Sequence, residues 1–368
     1  MIGIRRSGRQ FVLIALLLGA IAVLARQPAS SDRQMYEDIG QHLVVLDCHD
    51  VHCFRVLVAV ALEHLPGPSL FKWKAYAVLT DVAAALAIGR LCLVLGLSAR
   101  LAFLATWIGA VGFGPMQAVF DPYTSDPVMY LLGPWMAADL VRGGIGRATL
   151  AGAIGVLAKE FAAVPLWMFA LMRALQHRWE AAARALLGAV TATLVWLALQ
   201  TVLMTIYNYS YGGNPSADIL SGGYFAVWVG AIGWPRAAAY LFTTYGALYL
   251  LFAAGLFYAS RTQRLLALCS LPPLIAFGYV QQPDRSLCNF QFVVIPIAVL
   301  MLDVLPNWLC GLFIVSFGAA NLRLGEPQPP VVTSVRVAML ALSLLIALYA
   351  VRETRRNGRV STPREEPA

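Results

Sequence analysis

Carboxylates and cations stand at a few places along an otherwise apolar chain, and their spacing suits proton transfer and anion recognition. Asp32-Arg33-Gln34-Met35-Tyr36-Glu37-Asp38 follows directly on the first apolar run. A carboxylate held at an interface can take the proton of a hydroxyl nucleophile when its pKa and position suit. It can also ligate a divalent cation. The same charges would equally solvate a helix start, where the dipole favours acids. Asp121-Pro122-Tyr123-Thr124-Ser125-Asp126-Pro127 places two carboxylates in a turn with two prolines. Asp121 is the better candidate base. Ser125 or Asp126 ahead of Pro127 also reads as an ordinary helix start.

Lys159-Glu160 interrupts the apolar stretch Ala148–Met172. Ionisable residues in such a place are costly and point to function. Lys159 could hold a phosphate, or the two could form an ion pair that fixes a hairpin. Arg285, in Gln282-Pro283-Asp284-Arg285-Ser286, offers a planar fork for phosphate or carboxylate. Arg55 interrupts an apolar helix and has the same two readings, anion seat or snorkelling side chain. Asp47-Cys48-His49-Asp50-Val51-His52-Cys53 has metal-ligand residue types, but its spacing matches no zinc module. A local Cys48–Cys53 disulfide and plain interfacial polarity are the alternatives. No Walker loop, dinucleotide fingerprint or nucleophile elbow is present, which argues against a nucleotide-driven pump.

The elements that position these residues are membrane helices. Of the 368 residues 60% are hydrophobic and 12% charged, and the mean hydropathy is +0.70. A soluble domain carries about a quarter charged residues. Apolar stretches near 10–26, 72–96, 99–119, 127–142, 184–206, 236–258, 265–281, 288–303, 306–322 and 334–351 read as spans. The expected fold is all-α: a polytopic bundle of about 10 spans plus one broken-helix hairpin at Ala148–Met172. Arginines flank that stretch on both sides, so a hairpin returning to its own side fits better than a single crossing. The formal charge of +8 sits in clusters between apolar segments, with no basic stripe interleaved with aromatics. It marks topology and gives no nucleic-acid signature.

The basic clusters put both termini in the cytoplasm of a multi-pass protein of the cell inner (plasma) membrane. Most acidic residues then fall outside, which makes the outer face the place to look for chemistry. Residues 1–25 also fit a cleaved leader; either way residue 30 lies outside. The first outer segment, 27–71, is expected to form amphipathic interfacial helices. The second, 207–235, carries Tyr207-Asn208-Tyr209-Ser210-Tyr211, which suits an aromatic belt or sugar stacking. Residues 1–351 form one transmembrane domain in this reading, and 352–368 a disordered cytoplasmic tail.

The chain resembles the GT-C superfamily of polytopic glycosyltransferases, in an uncharacterised bacterial branch. Asp32-x-x-x-Tyr36 resembles that family's first-loop acidic motif. Phe54-Arg55-Val56-Leu57-Val58-Ala59 resembles its "yRvLvP" segment, with Ala59 where many relatives have Pro. The hairpin with Lys159-Glu160, and Asp284-Arg285-Ser286-Leu287, resemble later features. The resemblance implies a polyprenyl-phosphate-sugar donor, Asp32 as general base on an acceptor hydroxyl, and inversion at the anomeric carbon. Asp32 and Asp121 are thus the candidate catalytic residues. Tyr36, Arg55, Lys159, Glu160 and Arg285 are the candidate substrate-binding residues, and a divalent metal ion is left open. The expected partners are the lipid-linked donor and membrane lipids. A transporter or lipid flippase, and a non-catalytic subunit of a membrane complex, are the competing classes. The lack of a visible repeat speaks against the former.

Overall fold

The computed structural model describes residues 2–26, 28, 32–42, 48–49, 51–210, 223–280, 282–326 and 330–357, without the side chains of 2–7 and 51. Every regular element among them is helical. In chain order these are α1 (Ile2–Leu24), α2 (Arg33–His42), α3 (Val56–Glu63), α4 (Ser69–Val94), α5 (Ala99–Ala110) and α6 (Phe113–Phe120). Next come α7 (Asp126–Val141), α8 (Ile145–Gly155), α9 (Val164–Leu175), α10 (Trp179–Tyr207), α11 (Gly223–Ile232) and α12 (Trp234–Tyr245). The last are α13 (Ala247–Gly255), α14 (Arg261–Val280), α15 (Pro283–Cys288), α16 (Gln291–Ala298), α17 (Asn307–Asn321) and α18 (Pro330–Asn357). Short 3₁₀ turns occupy Val51–Phe54, Glu160–Ala163 and Val299–Val304.

Local chemistry sets many boundaries. Ser98 accepts the Leu101 N–H and caps α5, as short hydroxyl side chains do. Prolines open α7, α9, α12 and α15 at their first positions, where the missing N–H has no helical partner to lose. Gly246, at φ +48°, separates α12 from α13, and the two helices meet at a 60° bend.

Each stretch read as a span is helical. By length and apolarity, five helical stretches are sufficient to cross a membrane: Ser69–Val94, Ala99–Phe120, Trp179–Tyr207, Arg261–Val280 and Pro330–Asn357. The bent pair α12–α13 makes six. Gly8–Leu24, Gln291–Val304 and Asn307–Asn321 are apolar but shorter, so the ten expected spans are met only in part. Large apolar side chains such as Leu16, Leu187, Ile275, Val315 and Leu345 are exposed around the bundle. A water-soluble monomer does not present such a belt. The chain is a helical membrane protein. α18 continues to Asn357, past Val351, because the helix outlasts its apolar run; residues 358–368 lie outside the described region.

α4 lies at the centre, packed by α1, α5, α7 and α16. The expected hairpin exists: α8 and α9 pack together on α7 and α10. Close approach there rests on small residues, as in other membrane bundles. A Cβ at Gly155 would fall 2.5 Å from Leu132 Cδ1 and 2.7 Å from Ala162 Cβ. At the arginine-rich end, buried Asp139 takes Arg90 at 2.5 Å and Arg147 at 3.3 Å, joining α7 to α4 and α8. α2 and α3 are two short helices in the first loop, with Tyr36, Ile39 and Gly40 as the buried face of α2; Leu43, Val44 and Leu46, on which one expected helix rested, lie outside the described residues.

Gly155→Leu should overpack the hairpin and lower stability by about 1–3 kcal/mol, read as a lower melting temperature of the purified protein in detergent. An unchanged melting temperature would show that the hairpin does not depend on this close approach.

Candidate functional site

Charged residues from distant parts of the chain converge where α7 begins. Asp126 opens that helix and is 3% exposed. Its Oδ1 accepts from Lys159 Nζ at 2.5 Å. Its Oδ2 accepts from Arg285 Nη2 at 2.6 Å and Nε at 2.8 Å. Arg285 Nη2 also donates to Thr124 Oγ1 at 2.7 Å. Thr124, rather than Ser125, takes the Asp126 N–H, at 3.2 Å. The expected Ser125 cap is not made. Asp126 is therefore more than a helix start: it is the shared counter-ion of the hairpin tip and of α15.

Lys159 and Glu160 do not pair to fix the hairpin internally. Lys159 reaches α7, while Glu160 accepts from Arg55 Nη2 at 2.9 Å. A backbone bond from the Leu57 N–H to the Leu157 carbonyl, 3.1 Å, runs alongside. Neighbouring residues at the hairpin tip thus grip two different elements, α7 and the start of α3. Arg55, Lys159 and Arg285 are three cations against the carboxylates of Asp126 and Glu160. The cluster keeps one net positive charge, and every one of its cations already faces a carboxylate.

The first loop closes over this cluster. Tyr36 is buried, with its ring 5.7 Å from His52 and 5.2 Å from Trp73. Trp73 in turn lies 5.2 Å from Tyr123. The Tyr123 hydroxyl donates to Glu37 at 3.2 Å and shares a 3.2 Å bond with Ser69. Arg33 pairs with Glu37 at 3.0 Å and sits over the Tyr123 ring. Asp32 reaches His52 Nε2 at 3.3 Å. This aromatic run carries Asp32 and Tyr36 to the turn holding Asp121 and Asp126.

Asp121 differs from Asp32, Glu37, Asp126 and Glu160, which are paired, and shares with Asp81 on α4 a buried oxygen that has no partner. Its Oδ1 is buried and has no hydrogen-bond partner. Burial pushes its carboxyl up to about 7, against the opposing pull of Arg285, while the charges of Asp32 and Asp126 add to the rise. A carboxylate so placed can accept a proton near neutrality.

Cys48 and Cys53 form a disulfide. The Ser210 N–H donates to the Cys48 carbonyl at 3.1 Å, and His49 Nδ1 bonds Ser210 Oγ at 2.7 Å. The disulfide alternative for this loop therefore holds. Among the described residues no group of three His, Cys, Asp or Glu side chains is placed to hold a metal; Asp47 and Asp50 lie outside them. Tyr123, Thr124 and Trp73 were given no role by the sequence reading, and His52 only one in a possible metal cluster. The one available signal was that a buried Lys159 needs a carboxylate partner.

No protein-family model matches the chain, and no curated protein matches it. Among solved structures, the Archaeoglobus fulgidus oligosaccharyltransferase, tethered through a disulfide bond with an acceptor peptide containing the NVT sequon, aligns over 94% of this chain. The identity is 11% and the TM-score 0.44, and the chain spans 55% of that protein's length. At that likeness the comparison carries no argument about fold or function.

Asp126→Asn should destabilise the fold by about 3–5 kcal/mol, because it leaves Lys159 and Arg285 buried without their counter-ion. Asp121→Asn should act in the opposite sense. With its pKa raised above the unfolded value, Asp121 contributes stability that is present at low pH and lost as pH rises through about 7. Replacing it with Asn should flatten that decline. Melting curves of both variants in detergent, on either side of neutrality, check the pair.

Proposed function

We propose that this chain is an integral membrane glycosyltransferase of the GT-C kind. It moves a sugar from a polyprenyl-phosphate donor to an acceptor hydroxyl on the extracytoplasmic face, with inversion. The observation that carries the reading is Asp121: a half-buried carboxylate with a buried, unbonded oxygen, tuned toward neutrality, in the same turn as the Arg285-bearing cluster. The motif resemblance and the segregation of acidic loops to one side support it further.

In this reading Asp121 is the general base. It takes the acceptor's hydroxyl proton while the acceptor oxygen attacks the anomeric carbon. The bond from that carbon to the phosphate oxygen breaks, and its electron pair stays on the phosphate. Asp32, paired with His52, positions the acceptor instead of taking its proton. The motif resemblance instead implies Asp32 as the base. Tyr36 and Trp73 wall the acceptor side. Arg285 faces the developing charge, and Lys159, Arg55 and Glu160 hold Arg285 and Asp126 in place. Catalysis would rest on positioning and on preorganised charge.

The test is transfer of labelled sugar from polyprenyl-phosphate-sugar donors by the protein in liposomes. Wild-type rate should climb with pH through about 7, as Asp121 loses its proton. Asp121→Asn should lose roughly 10²–10⁴-fold in rate and the pH limb with it, while Asp32→Asn should mainly raise the acceptor KM. A fully active Asp121→Asn enzyme would remove the base, and absence of transfer from any donor would sink the enzymatic reading.

A further inference from the structure

A cavity of about 450 Å³ lies between α12, α17 and α18, lined by Arg236, Tyr240, Asn321, Arg323, Glu326 and Arg336 among others. It is lined by none of the residues of the cluster at Asp126. It is nonetheless electrostatically close: the charge of Arg323 acts on Asp284, and that of Glu326 on Asp121.

The cavity's cations differ from those of the cluster in one respect. Among the described residues, no carboxylate lies within ion-pair distance of Arg236, Arg323 or Arg336. Arg323 lies over the Phe113 ring, 5.0 Å from its centroid. Arg336, half-buried within the apolar helix α18, donates through Nε to the Ala320 carbonyl at 3.1 Å. Arg323 and Arg336 repel each other. Three guanidiniums and one carboxylate leave two positive charges around one open volume. An arginine within a spanning helix, as Arg336 is in α18, is costly unless something compensates it, and the nearby charge of Arg323, in the segment after α17, adds to that cost. A guanidinium fork is shaped for phosphate oxygens.

The surroundings are apolar. Leu340 and Val337 of α18 continue the cavity wall into the bundle, and Val331, Val335 and Val337 are exposed along the same helix. A ligand that satisfies the arginines can therefore run a hydrocarbon chain down α18. Basic pockets between transmembrane helices on the cytoplasmic side bind lipid headgroups, and the same charge chemistry applies to this cavity at the other face.

We propose that this cavity seats the phosphate of a membrane lipid, with Arg323 and Arg336 on its oxygens, Arg236 at the rim and the lipid chain along α18. The inference goes beyond the transferase reading and holds equally for a protein without that activity. A headgroup in this seat would lie beside the turn that carries Asp121.

Equilibrium binding to the purified full chain in detergent tests it, with farnesyl phosphate, a short-chain phosphatidic acid, inorganic phosphate and farnesol as probes. At least one of the two phosphate-bearing lipids should bind, and the tighter one identifies the source of the phosphate. Inorganic phosphate and farnesol should each bind at least about tenfold more weakly. Arg323→Gln and Arg336→Gln should weaken lipid binding about tenfold or more. Arg236→Gln, at an exposed position with no side-chain bond among the described residues, keeps the fold and should weaken it about threefold. Arg264→Gln, at the other end of the bundle, should leave it unchanged. Equal binding of farnesol would overturn the phosphate assignment, and equal binding of inorganic phosphate the lipid assignment. Undiminished binding by all three cavity variants would overturn the site.

Discussion

The placement of the chemistry depends on one buried carboxylate. Asp126 holds Lys159 and Arg285 on its two oxygens, in surroundings where an unpaired charge would be strongly disfavoured. Those partners stand 33 and 159 residues away along the chain. A membrane bundle has little hydrophobic drive to select one helix arrangement over another, since lipid tails are as apolar as leucine. A charge that must be matched supplies the missing selectivity. α7, the hairpin tip and α15 have to meet at Asp126, and the loops they carry meet with them. The Arg55–Glu160 pair and the Leu57–Leu157 backbone bond then lock α3 to the same point.

That matching divides labour among the polar groups. Lys159, Arg285 and Arg55 are answered by carboxylates, so they hold geometry and shape the local field. Asp121 has a buried oxygen that nothing answers, and it retains the freedom to exchange a proton. The aromatic chain Tyr36–Trp73–Tyr123 separates the roles further. It presses the first loop onto the turn without placing a cation on Asp121, so burial governs that carboxyl.

Much of this was readable from residue types. Lys159-Glu160 and Pro165 between arginine clusters announced a broken hairpin, because a charged pair cannot lie in mid-span without cause. Asp121 stood out as a carboxylate in a turn with two prolines, and Arg285 as a planar cation in the connection between two apolar spans. What was not readable is who pairs with whom. Lys159 and Glu160 are adjacent, and adjacency suggested a local pair; the extended backbone at Lys159 (φ −165°, ψ 139°) instead sends the two side chains to different helices. Ser125 looked like the cap of α7, but its backbone is helical at that position, and Thr124 takes the N–H. Arg236, Arg323 and Arg336 drew no notice, since each alone resembles a snorkelling arginine at a helix end. Only the cavity between α12, α17 and α18 reveals that they face one volume. The ten-span reading is met only in part: α7 and α17, of 16 and 15 residues, fall short of the length that crosses a membrane.

The two groups of cations also answer differently to an incoming phosphate. At Arg285 a phosphate meets a guanidinium already bonded through Nε and Nη2 to Asp126 and Thr124. Binding there must weaken those bonds and set two anions side by side, which disfavours a resting phosphate. It suits an interaction that strengthens only as charge develops during bond breaking. At Arg323 and Arg336 the sign reverses. The unliganded state carries the repulsion, and a phosphate removes it while satisfying N–H groups that the protein leaves open. Ground-state affinity therefore belongs to the cavity between α12 and α18. Any contribution to the reaction barrier belongs to the cluster at Asp126, and a bundle that kept both functions on the same arginines would have to trade one against the other.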